Sequence, residues 1–141
     1  MLAIGELVLA FLLGAAVGAE REWQRHAGGL RTCAIVAAAS CAFTHIVLAV
    51  GGNNPSAAVG AVATAIGFLG AGVILHRGAQ VQGISTAATF WAVAAIGAAV
   101  GADEAALAIA LCALVLLSHL GLRPLSRRIR RLAPPDEEGP G

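Results

Sequence analysis

The sequence predicts an all-α integral membrane bundle of about five transmembrane helices, with the N-terminus outside and the C-terminus inside. Three observations carry this expectation. Of the 141 residues, 58% are hydrophobic and 12% charged, whereas soluble domains carry roughly 25% charged residues; a soluble fold of this size would leave too much apolar surface in water. The apolar residues gather into five runs, each near the roughly 17–25 residues that a helix needs to cross about 30 Å of hydrocarbon. The basic residues, nine in number and all arginine, fall on one side when five spans are drawn.

The first run covers 2–19. A secretory signal needs a basic start, and Glu6 stands where that charge belongs, so the run is expected to remain as a span. The others cover 32–50, 55–75, 84–100 and 105–122. Continuous runs favour helix over the alternation of a membrane strand, and a helix satisfies its own backbone in lipid. The breaks have local causes. Residues 20–29 are polar and then glycine-rich. Gly51-Gly52-Asn53-Asn54-Pro55 is a turn, with Pro55 placed to open the third helix. Residues 76–83 read as a polar linker. Gly101 stops the fourth helix and Asp103 caps the fifth. Residues 1–122 thus form the transmembrane domain. Residues 123–141 form a cytoplasmic tail, first a short basic helix on the headgroups and then a disordered end rich in Pro and Gly.

Cytoplasmic loops collect Arg and Lys. One side receives Arg21, Arg25, Arg31, Arg77 and five arginines between Arg123 and Arg131. The other receives Glu6, Asp103 and Glu104. This partition fixes the parity of the crossings as well as their direction.

Gly14-x-x-x-Gly18 and Gly97-x-x-x-Gly101 are small-residue patterns that let helix backbones approach closely, and Gly67, Gly70 and Gly72 place a third set on the third span. A bundle this thin is expected to self-associate through such faces. Cys33, Cys41 and Cys112 lie in apolar runs without paired spacing and read as small filler. His26, His45, His76 and His119 show no metal-ligand spacing. No nucleophile–base arrangement is visible, so the chain is expected not to be an enzyme, and no nucleic-acid partner is expected.

Three stretches are more specific than composition. Gly14-Ala-Ala-Val-Gly18-Ala-Glu20-Arg21-Glu22 is followed by Gly29-Leu30-Arg31-Thr32; Ile66-Gly67-Phe68-Leu69-Gly70-Ala71-Gly72 comes next; Gly83-Ile84-Ser85-Thr86-Ala87-Ala88-Thr89-Phe90-Trp91 closes the set. In this order and spacing the chain resembles the MgtC/SapB family of bacterial inner-membrane proteins over about residues 5–122. Where family members often carry an Asp, an Arg and a Gln before the third helix, this chain has Asn54, Ala57 and Ala61, and Ala65 replaces a Gly. Larger members also end in a soluble domain, and this chain resembles the short form.

The resemblance implies a location in the bacterial inner membrane and a role in magnesium homeostasis or stress adaptation. The expected function is that of a regulatory partner of another membrane protein; the alternative is a subunit of a transporter or channel for Mg²⁺ or another cation. Glu20, Arg21, Glu22, Arg31 and Thr32 form the candidate functional cluster at the cytoplasmic face. Gly67, Phe68, Gly70, Gly72, Ser85, Thr86, Thr89, Trp91 and Glu6 are candidates for helix packing or an ion path. The hydroxyls of Ser85, Thr86 and Thr89 are expected to bond within their own helix or across to the third, and Trp91 to fill a gap beside the glycines. No cofactor is expected, with Mg²⁺ the one ion in view, and no metal ligands can be assigned. Mg²⁺ favours one or two carboxylates with retained waters, and Glu6 is the one acid set within an apolar run.

Overall fold

A computed structural model describes residues 2–50, 54–77 and 80–132. It contains five helices, α1 (Leu2–Trp23), α2 (Leu30–Val50), α3 (Pro55–Val73), α4 (Ile84–Gly101) and α5 (Ala105–Leu132), with a small hairpin between α3 and α4. By length and composition, α2, α3, α4 and the Ala105–Leu122 part of α5 can each cross a membrane. The turn residues 51–53, the linker residues 78–79 and the tail end 133–141 lie outside the described residues.

Local chemistry explains most of the boundaries. Pro55 opens α3, and the Asn54 side chain caps it by accepting from the Ala57 amide at 3.3 Å. α4 ends at Gly101 as expected. α1 runs on past residue 19 to Trp23 and α2 starts two residues early at Leu30, and three further boundaries differ from the sequence reading. The 76–83 linker is not a plain loop: β1 (Leu75–Arg77) pairs antiparallel with β2 (Gln80–Gln82), so α3 stops at Val73. Asp103 takes a left-handed turn conformation (φ 65°), which leaves Glu104 in the position before α5. α5 does not break at Leu122 but continues to Leu132, so the basic stretch prolongs the last helix instead of forming a separate one.

The core is built around α2, whose buried face consists of Cys33, Ala34, Ala37, Ser40, Cys41 and Thr44. Both G-x-x-x-G patterns press against this face. A Cβ on Gly14 would sit 2.6 Å from the Cys33 carbonyl oxygen and 2.7 Å from the Ala37 Cβ, and one on Gly18 would sit 2.7 Å from the Leu30 Cα. From the other side, a Cβ on Gly97 would overlap the Ala37 carbonyl, and one on Gly101 would meet the Cys41 oxygen at 2.6 Å. α2 is therefore clasped between α1 and α4 at backbone contact distance, the arrangement that small residues permit in lipid. Val17, Val93, Ile96 and Val100 fill the remaining centre, essentially without solvent access. Thr44 donates to the Ser40 carbonyl at 2.9 Å, which satisfies a buried hydroxyl within its own helix.

α3 is held differently. A Cβ on Gly70 would make ordinary contacts, 3.6 Å to the Ala87 Cβ and 3.9 Å to Trp91 Cδ1, so Trp91 does pack beside a glycine as predicted. An apolar groove of about 80 Å³ nevertheless remains between α3 and α4. Gly60, Gly67 and Gly72 face open space among the described residues, with nothing within 4 Å of where a Cβ would stand.

Candidate functional site

Arg21 is the centre of the site. It lies beyond the apolar run of α1, yet it is only 2% exposed. A buried charge needs polar partners, and the guanidinium finds four. Nε donates to the Gly28 carbonyl at 3.1 Å, Nη2 to the Ala27 carbonyl and to Thr86 Oγ1 (2.9 Å), and Nη1 to Thr89 Oγ1 (2.9 Å). Burial pushes the guanidinium below its ordinary value, opposed by Cys33 and Glu20; arginine remains a cation at any physiological pH. The planar fork fixes the end of α1, the α1–α2 loop and the first turns of α4 to one another.

The loop is shaped for this task. Gly28 has φ 72°, a left-handed conformation that glycine adopts without steric cost, and a Cβ there would collide with the ring of Phe90. This seats the Ala27 and Gly28 carbonyls over Arg21. Gly83, at φ 94°, plays the corresponding part before α4, where a side chain would strike the Val73 carbonyl.

His119 brings α5 to the same point. Its Nδ1 lies 2.8 Å from Glu20 Oε2 and its Nε2 3.4 Å from Thr89 Oγ1. The Thr89 hydroxyl donates its only proton to the Ser85 carbonyl at 2.9 Å, so both imidazole nitrogens face acceptor oxygens. Beside this network is a cavity of about 220 Å³, with Glu20, Gln24, His26, Ser85, Ser118 and His119 in its walls.

The predicted cytoplasmic cluster therefore divides. Glu20 and Arg21 enter the buried network. Glu22, Arg31 and Thr32 line a separate open hollow, where Glu22 Oε2 accepts from the Leu30 amide at 2.9 Å and so caps α2. Thr86 and Thr89 do not reach α3 as one expectation had it; they accept from Arg21 on α1, and Thr89 also bonds within α4. Ser85 is exposed at the cavity. Of the packing candidates, Gly70 and Trp91 meet each other, whereas Gly67, Gly72 and Phe68 do not join the site; Phe68 is 85% exposed. Glu6 is remote from it, paired with His45 of α2 near the opposite end of the bundle. Sequence reasoning missed His119, Gln24, His26 and Ser118. The one available signal was His119 standing in an apolar run, since an ionisable residue there calls for a partner. Among the described residues, no group of three His, Cys, Asp or Glu side chains is placed to hold a metal ion.

Known proteins are similar to this chain over most of its length. The MgtC family profile matches residues 7–128. Protein MgtC of Salmonella choleraesuis is 39% identical over 133 residues, covering 94% of this chain and 57% of that protein. An uncharacterized protein of Synechocystis is 39% identical over 121 residues (85% and 52%), and Protein MgtC of Brucella abortus is 38% identical over 117 residues (82% and 49%). The chain spans about half the length of these relatives. No solved structure matches it. It is a multi-pass membrane protein by its four apolar helices, and with the profile and these relatives covering nearly all of it, the chain belongs to the MgtC family.

Proposed function

We propose that this protein is a regulatory component of the bacterial inner membrane, tied to magnesium homeostasis, which acts by docking on another membrane protein through the open face of α3. The observation that carries this reading is the contrast in how the glycines are used. Gly14 and Gly18 of α1 and Gly97 and Gly101 of α4 are consumed in tight crossings against α2, whereas a Cβ on Gly60, Gly67 or Gly72 would have nothing within 4 Å among the described residues, and Phe68 beside them is exposed. Small residues on a lipid-facing helix supply close approach to another helix. The magnesium link comes with the family resemblance.

The arrangement of the ends supports five crossings with the N-terminus outside. Arg21 of α1, Thr86 of α4 and His119 of α5 meet at one end, and the arginine-bearing α1–α2 loop lies there too. Glu6 of α1 and His45 of α2 mark the other. Basic loops favour the cytoplasm, which makes the Arg21 end the inner one.

A second reading, a cation transporter subunit, draws on these same two ionisable pairs, Glu6–His45 and Glu20–His119. The two carboxylates lie 14 residues apart on α1, about 21 Å along the helix axis. Between them the centre is filled by Val17, Cys33, Ala37, Val93 and Ile96, which favours docking over conduction. Reconstitution in liposomes separates the two readings. Docking predicts no Mg²⁺ entry and a membrane protein that co-purifies in mild detergent. Mg²⁺ flux that disappears in Glu6→Gln would overturn it.

A further inference from the structure

The hydrogen-bond inventory around the cavity leaves one group unanswered. Arg21 is spent on two carbonyls and two threonine hydroxyls, His119 on Glu20 and Thr89, and Ser118 donates to the Val115 carbonyl at 2.8 Å. Glu20 uses Oε2 for His119. Its Oε1 is buried and has no partner among the described residues, on a side chain only 10% exposed. Glu20 belongs to a wall of the 220 Å³ cavity, together with Gln24, His26, Ser85 and Ser118, and Oε1 lies buried behind that wall.

From this geometry we propose that the cavity binds a primary ammonium group, seated on Glu20 Oε1. An ionised carboxylate only accepts hydrogen bonds, and leaving one of its oxygens buried without a donor is costly. A ligand seated on this oxygen would bring N–H or O–H donors, and a positive charge strengthens the bond. An ammonium has three donors. Glu20 takes one, and the other two find acceptors among the free lone pairs of Ser85 and Ser118 and the Gln24 amide oxygen. A divalent metal fits less well, since Glu20 is the one carboxylate in the cavity walls and no group of three His, Cys, Asp or Glu side chains is placed to hold a metal among the described residues. The cavity lies at the Arg21 end of the bundle, beyond the apolar run of α1. Two sources supply the same chemistry there: the headgroup of an ethanolamine lipid, or a soluble amine from the cytoplasm.

The test uses the full chain in lipid nanodiscs. Native mass spectrometry after gentle release compares retention of phosphatidylethanolamine with that of phosphatidylcholine, whose trimethylated nitrogen has no N–H. Equilibrium dialysis of labelled ethanolamine against phosphatidylcholine discs tests the soluble source. Preference for the ethanolamine lipid by about tenfold, the factor that one charge-assisted hydrogen bond readily supplies, supports a headgroup site. Saturable uptake of free ethanolamine without lipid preference supports a soluble ligand. In either case Glu20→Gln should abolish the preference or the uptake. The comparison of the two headgroups needs no substitution, so it stands even if that variant folds poorly. Equal retention of both lipids with no ethanolamine uptake would overturn the proposal, leaving a cavity that holds water. So would Mg²⁺ binding that depends on Glu20 while amines fail to bind.

Discussion

The paired glycines of α1 and α4 and three of the glycines of α3 are alike as small residues on apolar helices, and they meet opposite fates. Gly14, Gly18, Gly97 and Gly101 are pressed so closely on α2 that a single methyl group would collide with its backbone. A methyl group on Gly60, Gly67 or Gly72 would touch nothing among the described residues. The polar chemistry follows the same division, because Arg21 ties α1 to α4 and His119 adds α5, with no side-chain hydrogen bond joining α3 to another helix among the described residues. A small-residue pattern thus announces that something can come close; it does not name what. On the crowded side the neighbour is internal. On the open side it is external, and that is the basis of the docking proposal.

Substitutions should expose this difference in graded steps. The largest effect is expected from Arg21→Met, which leaves the Thr86 and Thr89 hydroxyls and the Ala27 and Gly28 carbonyls without their shared donor. Removing one side of a buried charged network costs about 3–5 kcal/mol, and Arg21→Lys should recover only part of it, because one ammonium cannot reproduce the fork. Thermal unfolding in detergent would read both. Next comes Gly97→Ala, whose methyl must push the Ala37 backbone aside, at about 1–3 kcal/mol. His119→Phe should cost about 1–2 kcal/mol by stripping Glu20 of its remaining partner, and it should raise protease sensitivity in α5 more than in α2. The smallest effect is expected on the open side. Gly67→Ala meets no neighbour, and its gain in helix propensity should make the isolated protein more stable by up to about 1 kcal/mol. One substitution type with opposite signs at Gly97 and Gly67 would sharpen the comparison, and equal losses at both would break it.

Much of this could be read from residues alone. The five helical runs, the start of α3 at Pro55 and the close packing of Gly14–Gly18 and Gly97–Gly101 follow from local rules and appear in the fold. The site was legible in pieces. Glu20 and Arg21 stood out through their motif, but Glu22, Arg31 and Thr32 stood beside them with equal weight. Only the rotation of α1 decides that Arg21 points inward and Glu22 outward. His119 is 99 residues from Glu20, and no spacing rule links them, because the pair exists only once α5 packs on α1. The Leu75–Gln82 hairpin was hidden by its polar composition, and the run of α5 through Leu132 by the change from apolar to basic residues at Leu122.

The docking face can be interrogated directly by placing a photocrosslinking amino acid at Phe68, with Leu107 on exposed α5 as the control position, in cells grown under magnesium limitation. Docking through α3 predicts a discrete adduct with another membrane protein from position 68, absent at 107 and lost when Gly67→Leu fills the face. Adducts to lipid alone at both positions, or an adduct only to a second copy of this chain, would contradict it.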